Sequence, residues 1–455
     1  MVNKYQIIGH QFLHEALLDH QFDECIHIML PVYLEVKKLN SFDYLKATDF
    51  DRAWLNFELD LPLKPGANGK PNPFYINRPG NPINELIDAL LAPFYRPPKF
   101  FFSGHRGCGK STELQHLLTN SEIQKKYWPI NFSIREETDI IDLDFRDVLL
   151  AIGSRLFREY RKKGGELPEQ LLKELNGWRG KVEKQISTIL EGRSDIELGA
   201  SIDAFFANAG LKMKLEPATR VELRQIVETD ITGLIAIINH IAATIYSQEH
   251  RIPLILIDDM DKPDLERARA IFHDRREIMM QPNCAIVYTV SSALFYSKEF
   301  DSIRDQALFL PNINLHTAED ADHHLQEGYR TLEKFVNVRV NDSLIDPTAL
   351  DEAITYSGGV FRELARIIRT AIGRARRRKA TKLESEDVEW AVSEIRNEYR
   401  RILDKEDLKL LKRVHENRKL EYSERLMPML QLLAILEYRD QENWCDIHPV
   451  LRKML

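Results

Sequence analysis

The stretch FFFSGHRGCGKSTEL, Phe100 to Leu114, places three glycines, a lysine and the adjacent hydroxyls of Ser111 and Thr112 at a spacing that suits phosphate. Gly104, His105, Arg106, Gly107, Cys108, Gly109, Lys110 and Ser111 satisfy G-x-x-x-x-G-K-[ST], and Thr112 follows. In such a loop glycines let backbone N–H groups converge on phosphate oxygens, and the next helix adds its positive N-terminal dipole. Lys110 is then expected to reach the β- and γ-phosphates and the Ser111 hydroxyl to ligate Mg²⁺. A second group, PLILIDDMDK, ends an apolar run in carboxylates. Asp258 is expected to hold Mg²⁺ with Ser111, and Asp259 to polarise an attacking water. Asp261 is the competitor for that second role.

These side chains need buried strands that end at one edge of a sheet. Short apolar runs bounded by Pro or Gly predict strands at Lys99–Ser103, Trp128–Ile134, Pro253–Asp258 and Cys284–Val290. Helical patterns separate them, including Ile83–Leu91, so the fold class is α/β with a parallel sheet sandwiched by helices. A mostly helical insertion over about 158–248 interrupts this domain, which spans 63–315. Residues 1–62 form an N-terminal helical region kinked at Pro31. Three or four helices fill 316–403, with Ser385 as an N-cap in LESED. Residues 404–455 give two helices and a hairpin-like LAILEYRDQENWCDIHPVL, which together predict a winged-helix-like module.

Composition excludes several classes. A net charge of −7 argues against wholesale coating of nucleic acid but leaves room for a local basic patch. The one candidate patch is Arg374, Arg376, Arg377, Arg378 and Lys379, a run with no aromatic residue of its own. Four dispersed cysteines, Cys25, Cys108, Cys284 and Cys445, form no CxxC pair and fit a reducing compartment. No signal peptide and no run of 18 apolar residues is read, so a cytoplasmic protein is expected. No His cluster has metal-ligand spacing, and no Gly-x-Ser-x-Gly is present.

The order of phosphate loop, aspartate strand, polar-ended strand and helical lid resembles the AAA+ and STAND branch of P-loop NTPases. IDDMDK is similar to the I-D-D-L-D form of that branch, and GGVFRELARII followed by LESEDVEWAV resembles the lid of the origin-recognition/initiator clade. The resemblance covers about 74–455, without the insertion. It implies ATP rather than GTP and Mg²⁺ as ligands. A sensor is implied at Thr289, Ser291 or Ser292 (Ser291 preferred), and a second one at Arg362 facing the nucleotide. It also implies an arginine finger given to a neighbouring subunit, with Arg304 preferred over Arg275 and Arg276. Two departures stand out. Lys110 and Asp258 are about 150 positions apart, and the acidic pair is Asp-Asp where Asp-Glu is usual. The resemblance thus implies an ATPase acting as a nucleotide-gated oligomeric switch that controls a protein partner or effector, with prokaryotic antiviral defence as one setting. The alternatives are a DNA-binding initiator or loader, and a scaffold that binds nucleotide without hydrolysing it.

Overall fold

The computed structural model describes residues 42–66, 69–189, 217–320, 324–420 and 425–455. The expected helices of 1–41 and the middle of the insertion therefore lie outside the described residues. The unit Lys46–Leu455 holds the sheet, the lid and the C-terminal hairpin.

In chain order, α1 (Phe50–Asn56) and α2 (Ile83–Leu91) precede β1 (Lys99–Gly104), and α3 (Lys110–Leu117) leaves the phosphate loop. Then come α4 (Ser121–Lys126), β2 (Tyr127–Ser133) and α5 (Phe145–Lys162). Helices α6 (Glu169–Ile189), α7 (Pro217–Thr229) and α8 (Ile231–Glu249) lead into β3 (Ile252–Asp258). After it come α9 (Leu265–Arg269), α10 (Arg276–Met279), β4 (Ala285–Thr289), α11 (Ser292–Phe295) and β5 (Ala307–Leu310). The lid comprises α12 (Gln326–Asn337), α13 (Pro347–Tyr356), α14 (Phe361–Arg377) and α15 (Ser385–Ile402). The chain closes with α16 (Lys405–Asn417), α17 (Leu426–Gln431), β6 (Ile435–Arg439) and β7 (Asn443–Ile447).

Five parallel strands lie in the order β2-β3-β4-β1-β5, and β6 and β7 pair as an antiparallel hairpin. Period-two alternation splits each strand between two cores. Ile255 and Ile257 of β3 face α5 and α8, whereas Leu254 and Leu256 face α2, α3 and α4. Strands β1 to β4 fall within a residue of their sequence prediction. Edge strand β5 has no such prediction, because four residues after a charged 3₁₀ turn are too few for a periodic signal.

Helix α8 is long and apolar enough to cross a membrane by length and composition, although Asn239, His240 and Ser247 interrupt its apolar run. It packs in the sheet's core instead, with Leu234, Ile238, Ile241 and Ile245 fully buried. Each contributes about 1.5–3 kcal/mol on burial. The first inserted helical pattern divides into α5 and α6 at Gly164 and Gly165, where a φ of +85° at Gly164 ends the helix.

At α15 the cap differs from expectation. Glu384 is the N-cap and forms a reciprocal capping box with Asp387, so Ser385 is the first helical residue. The cause is Arg378 at the end of α14, which pairs with both carboxylates (2.7 and 2.6 Å) and draws Glu384 into the cap. Lid helices, α1, α16, α17 and the hairpin share a third core, running from Ala53 through Leu364 and Ile368 to Ile435 and Ile447.

Candidate phosphate and metal site

Strand β1 is flanked by β4 and β5, so the loop after it opens at the carboxyl edge of the sheet beside the ends of β3 and β4. Two glycines fix the loop's path. A Cβ on Gly104 would sit 2.7 Å from the Leu310 carbonyl oxygen, and one on Gly107 would sit 2.3 Å from the Cβ of Arg362. Both glycines have positive φ, +154° and +81°. Neither position has room for a side chain, because Gly104 lies against Leu310 at the end of β5 and Gly107 against Arg362 at the start of α14.

Ser111, at the start of α3, and Asp258, at the end of β3, are the two residues expected from the sequence to hold Mg²⁺. The Ser111 hydroxyl lies beside the Asp258 carboxylate, near enough to lower its pKa by hydrogen bonding. Burial raises the pKa of Asp258, the Ser111 bond lowers it, and the nearby charges of Asp259 and Asp261 raise it further, leaving it above the usual range. A hydroxyl and a buried carboxylate crowded by acids form an oxygen donor pair suited to Mg²⁺, so the residues present fit the expected ion.

Lys110 is enclosed. Its ammonium donates to the carbonyls of Gly104 (2.8 Å) and His105 (3.1 Å) and pairs with Asp261 (2.9 Å). Burial opposes its charge, but Asp261 outweighs burial and holds the Lys110 pKa above its ordinary value. Asp261 is held low in turn, since Lys110 and Lys262 overcome its burial.

Asp259 stands apart from this pair. Its φ is +64°, an αL conformation that Asp tolerates, and its N–H is tied to the Asp258 carboxylate at 2.8 Å. Its carboxylate accepts from the Ser133 hydroxyl at 2.6 Å, with Arg135 at 3.8 Å and Lys262 at 3.9 Å. Ser133 ends β2 opposite Asp258, so the pairing of β2 with β3, together with the left-handed turn at Asp259, brings the two side chains together.

Among the sensor candidates, the Thr289 hydroxyl is occupied within the sheet. It donates to the Ile257 carbonyl and accepts from the Met260 N–H. Ser291 is buried and caps α11 by accepting from the Ala293 N–H (3.2 Å), and Ser292 begins that helix. The backbone N–H of Arg362 donates to the Gly107 carbonyl at 3.2 Å, which seats the start of α14 on the loop. Its guanidinium pairs with Asp60 (3.0 Å), outside the loop. Arg106 is exposed on the loop. Arg304 is 65 % exposed and pairs with Asp301, Arg275 lies near Glu228 and over the Phe145 ring, and Arg276 reaches Gln306.

The basic run is largely neutralised within the chain. Arg374 lies between Glu386 and Asp387, Arg376 pairs with Asp51, and Arg378 pairs with Glu384 and Asp387. Arg377 instead lies over the Trp390 ring at 4.9 Å, an aromatic partner from α15 that the run itself lacks.

Two contacts at the loop have no clear sequence signal. Arg78, buried in the stretch before α2, donates to the carbonyls of Cys108 (2.8 Å) and Pro311 and lies over the Phe361 ring. His105 accepts the Glu437 N–H of β6 at Nε2 (2.9 Å), so the C-terminal hairpin touches the phosphate loop. Burial and then the Lys110 charge lower the His105 pKa to about 3, which keeps the ring a neutral acceptor. For Asp261 a clue does exist in the sequence, as the third acid of DDMD.

A parallel sheet with this loop on β1, carboxylates on the next-but-one strand and a helical lid seated on the loop define an α/β P-loop fold of the AAA+ type. The chain is similar to solved structures of the Aeropyrum pernix ORC1 protein in complex with DNA (14 % identity, covering 83 % of this chain and 91 % of that one, TM-score 0.39) and of Cdc6p from Pyrobaculum aerophilum (10 %, 87 % and 94 %, 0.38). It is also similar to the Thermotoga maritima RuvB Holliday junction branch migration motor (11 %, 82 % and 93 %, 0.34). No protein-family model matches the chain, and no curated protein does.

Proposed function

We propose that the chain binds ATP with Mg²⁺ at the Gly104–Thr112 loop, hydrolyses it, and uses the occupancy of that loop to control assembly and a partner. The Ser111–Asp258 pair beside Lys110 carries this reading, since it supplies a metal-oxygen pair and a cation within one loop's reach. When bound, Mg²⁺ would draw charge from the transferring phosphoryl oxygens. Lys110 and the loop N–H groups orient the phosphates, and Asp259 accepts a proton from the attacking water once freed from Ser133. The lid's seat on Gly107 and the hairpin's contact with His105 give occupancy of the loop a mechanical outlet. A trans-acting role for Arg304 rests on its exposure.

Phosphate release and mass by light scattering test this together. Lys110→Ala is expected to lose nucleotide binding. Asp259→Asn is expected to bind ATP, hydrolyse it about 10²–10⁴-fold more slowly and remain assembled. Wild-type turnover by Asp259→Asn would exclude Asp259 as the base, and an unchanged mass with every nucleotide would remove gated assembly.

A second reading, the DNA-binding initiator or loader, draws on Arg377 stacked on Trp390 at the exposed end of α14. It expects an affinity for DNA that falls linearly on a log–log plot against salt, and a lower slope for Arg377→Ala. No binding at about 50 mM salt would end it. An antiviral-defence setting gains no support from the fold or from the likenesses.

A further inference from the structure

The third carboxylate of IDDMDK is neither beside Ser111 nor beside Ser133. Asp261 Oδ2 lies 2.9 Å from Lys110 Nζ, and the two side chains are 8 % and 5 % exposed. An ammonium has three donors, and here the Gly104 carbonyl, the His105 carbonyl and Asp261 take all three. A phosphate oxygen that reaches Lys110 must therefore displace one of them. The carbonyls are neutral and belong to the loop itself. Asp261 is the charged acceptor, and the one that a phosphate would repel. Lys262 waits on its far side, 3.9 Å from Asp261 Oδ1.

We propose that Asp261 is a built-in counter-ion that holds Lys110 in the empty site, yields it to nucleotide phosphate and passes to Lys262. Asp261 is thus a positioning residue that keeps the empty loop in shape and lowers nucleotide affinity. This rests on the reading that the loop takes nucleotide phosphates. Two observations support the exchange. The ion pair is almost closed to water, so its attraction is little screened. Asp258, Asp259 and Asp261 also sit within three positions, so an arriving polyphosphate meets concentrated negative charge unless one carboxylate is drawn aside.

The test uses the full chain and ADP, titrated by calorimetry with and without Mg²⁺, beside thermal melts of the empty protein. Asp261→Asn keeps the shape and removes the charge. It is expected to lower the melting temperature of the empty protein and to bind ADP about tenfold more tightly, which corresponds to about 1.4 kcal/mol. Asp261→Glu should restore the wild-type balance. Lys262→Gln should weaken ADP binding in the wild-type background and leave it unchanged in the Asp261→Asn background, a dependence that a purely structural role would not produce. Unchanged or weaker ADP binding by folded Asp261→Asn overturns the exchange, as does a Lys262→Gln effect that is the same in both backgrounds. If Asp261→Asn does not fold, Asp261→Ser removes the same charge, and the Lys262→Gln comparison is made in that background with the same two outcomes. Failure of folded wild type to bind either ADP or ATP would overturn the nucleotide reading itself, which separates the two failures.

Discussion

Arg78 shows how much one buried side chain can organise. Its guanidinium satisfies the carbonyls of Cys108 in the phosphate loop and of Pro311 after β5, and covers the face of Phe361 at the start of the lid helix α14. Three elements far apart in sequence thereby share one planar donor. A lysine could not reproduce two divergent hydrogen bonds and a stacked face at once. Arg78→Ala leaves buried carbonyls without donors, which costs about 1–3 kcal/mol for each group. Denaturant unfolding should show a loss in that range or somewhat above it, and nucleotide binding should weaken because the loop's path is no longer held. Arg78→Lys should fall nearer to alanine than to wild type. Full stability in Arg78→Ala would mean that water replaces the guanidinium.

Among the elements, the β6–β7 hairpin has the closest relation to the site. Glu437 donates its N–H to His105, accepts at its carbonyl from the Asn312 amide (3.0 Å), and meets the Tyr296 hydroxyl with its carboxyl. Burial raises that carboxyl from an ordinary value of 4.5 to about 8. The folded state therefore holds a proton that the unfolded chain releases over this interval. The contribution is fully present below pH 4.5 and is lost as pH rises towards 8. Glu437→Gln keeps the shape and cannot ionise, so its melting temperature should depend less on pH than that of wild type between about pH 5 and 8. Parallel melting curves across that range would assign the dependence to another group. Beside the hairpin, Glu363 is shifted the other way: burial would raise it, but His448, Arg366 and Arg362 together hold it low.

At the scale of the molecule, the lid and the C-terminal helices and hairpin have no separate interiors. Ala53 of α1, Leu364 and Ile368 of α14 and Ile435 of β6 belong to one core, so a shift of the lid must carry the hairpin with it. This core meets the phosphate loop at Gly107 through Arg362 and at His105 through Glu437. A nucleotide-dependent change in mass would pass through these two contacts. The inserted helices are fastened differently. Arg220 and Arg224 of α7 reach Asp139, Asp142 and Asp147 around the start of α5, which ties the insertion to the sheet by charge as well as by apolar packing.

What the sequence determined alone is the set of features whose cause is local. The loop Gly104–Thr112 is legible because glycine, lysine and serine act through backbone path and reach, and strands β1 to β4 because apolar residues run on with little interruption. The Ser111–Asp258 pairing comes from those two, since parallel strands end at one edge. Tertiary structure decided whatever depends on which distant segment arrives beside a group. Lys110 holds Asp261 in place of open solvent, Asp259 is tied to Ser133 by the register of β2 and β3, and Arg362 is drawn to Asp60. The basic run from Arg374 to Lys379 reads as a patch because the four residues that follow it carry no acid and the acids beyond them belong to the next helix. Folding brings Asp51, Glu384, Glu386 and Asp387 against it. Charge partners of this kind act through space over a few ångströms, and no periodicity along the chain encodes them.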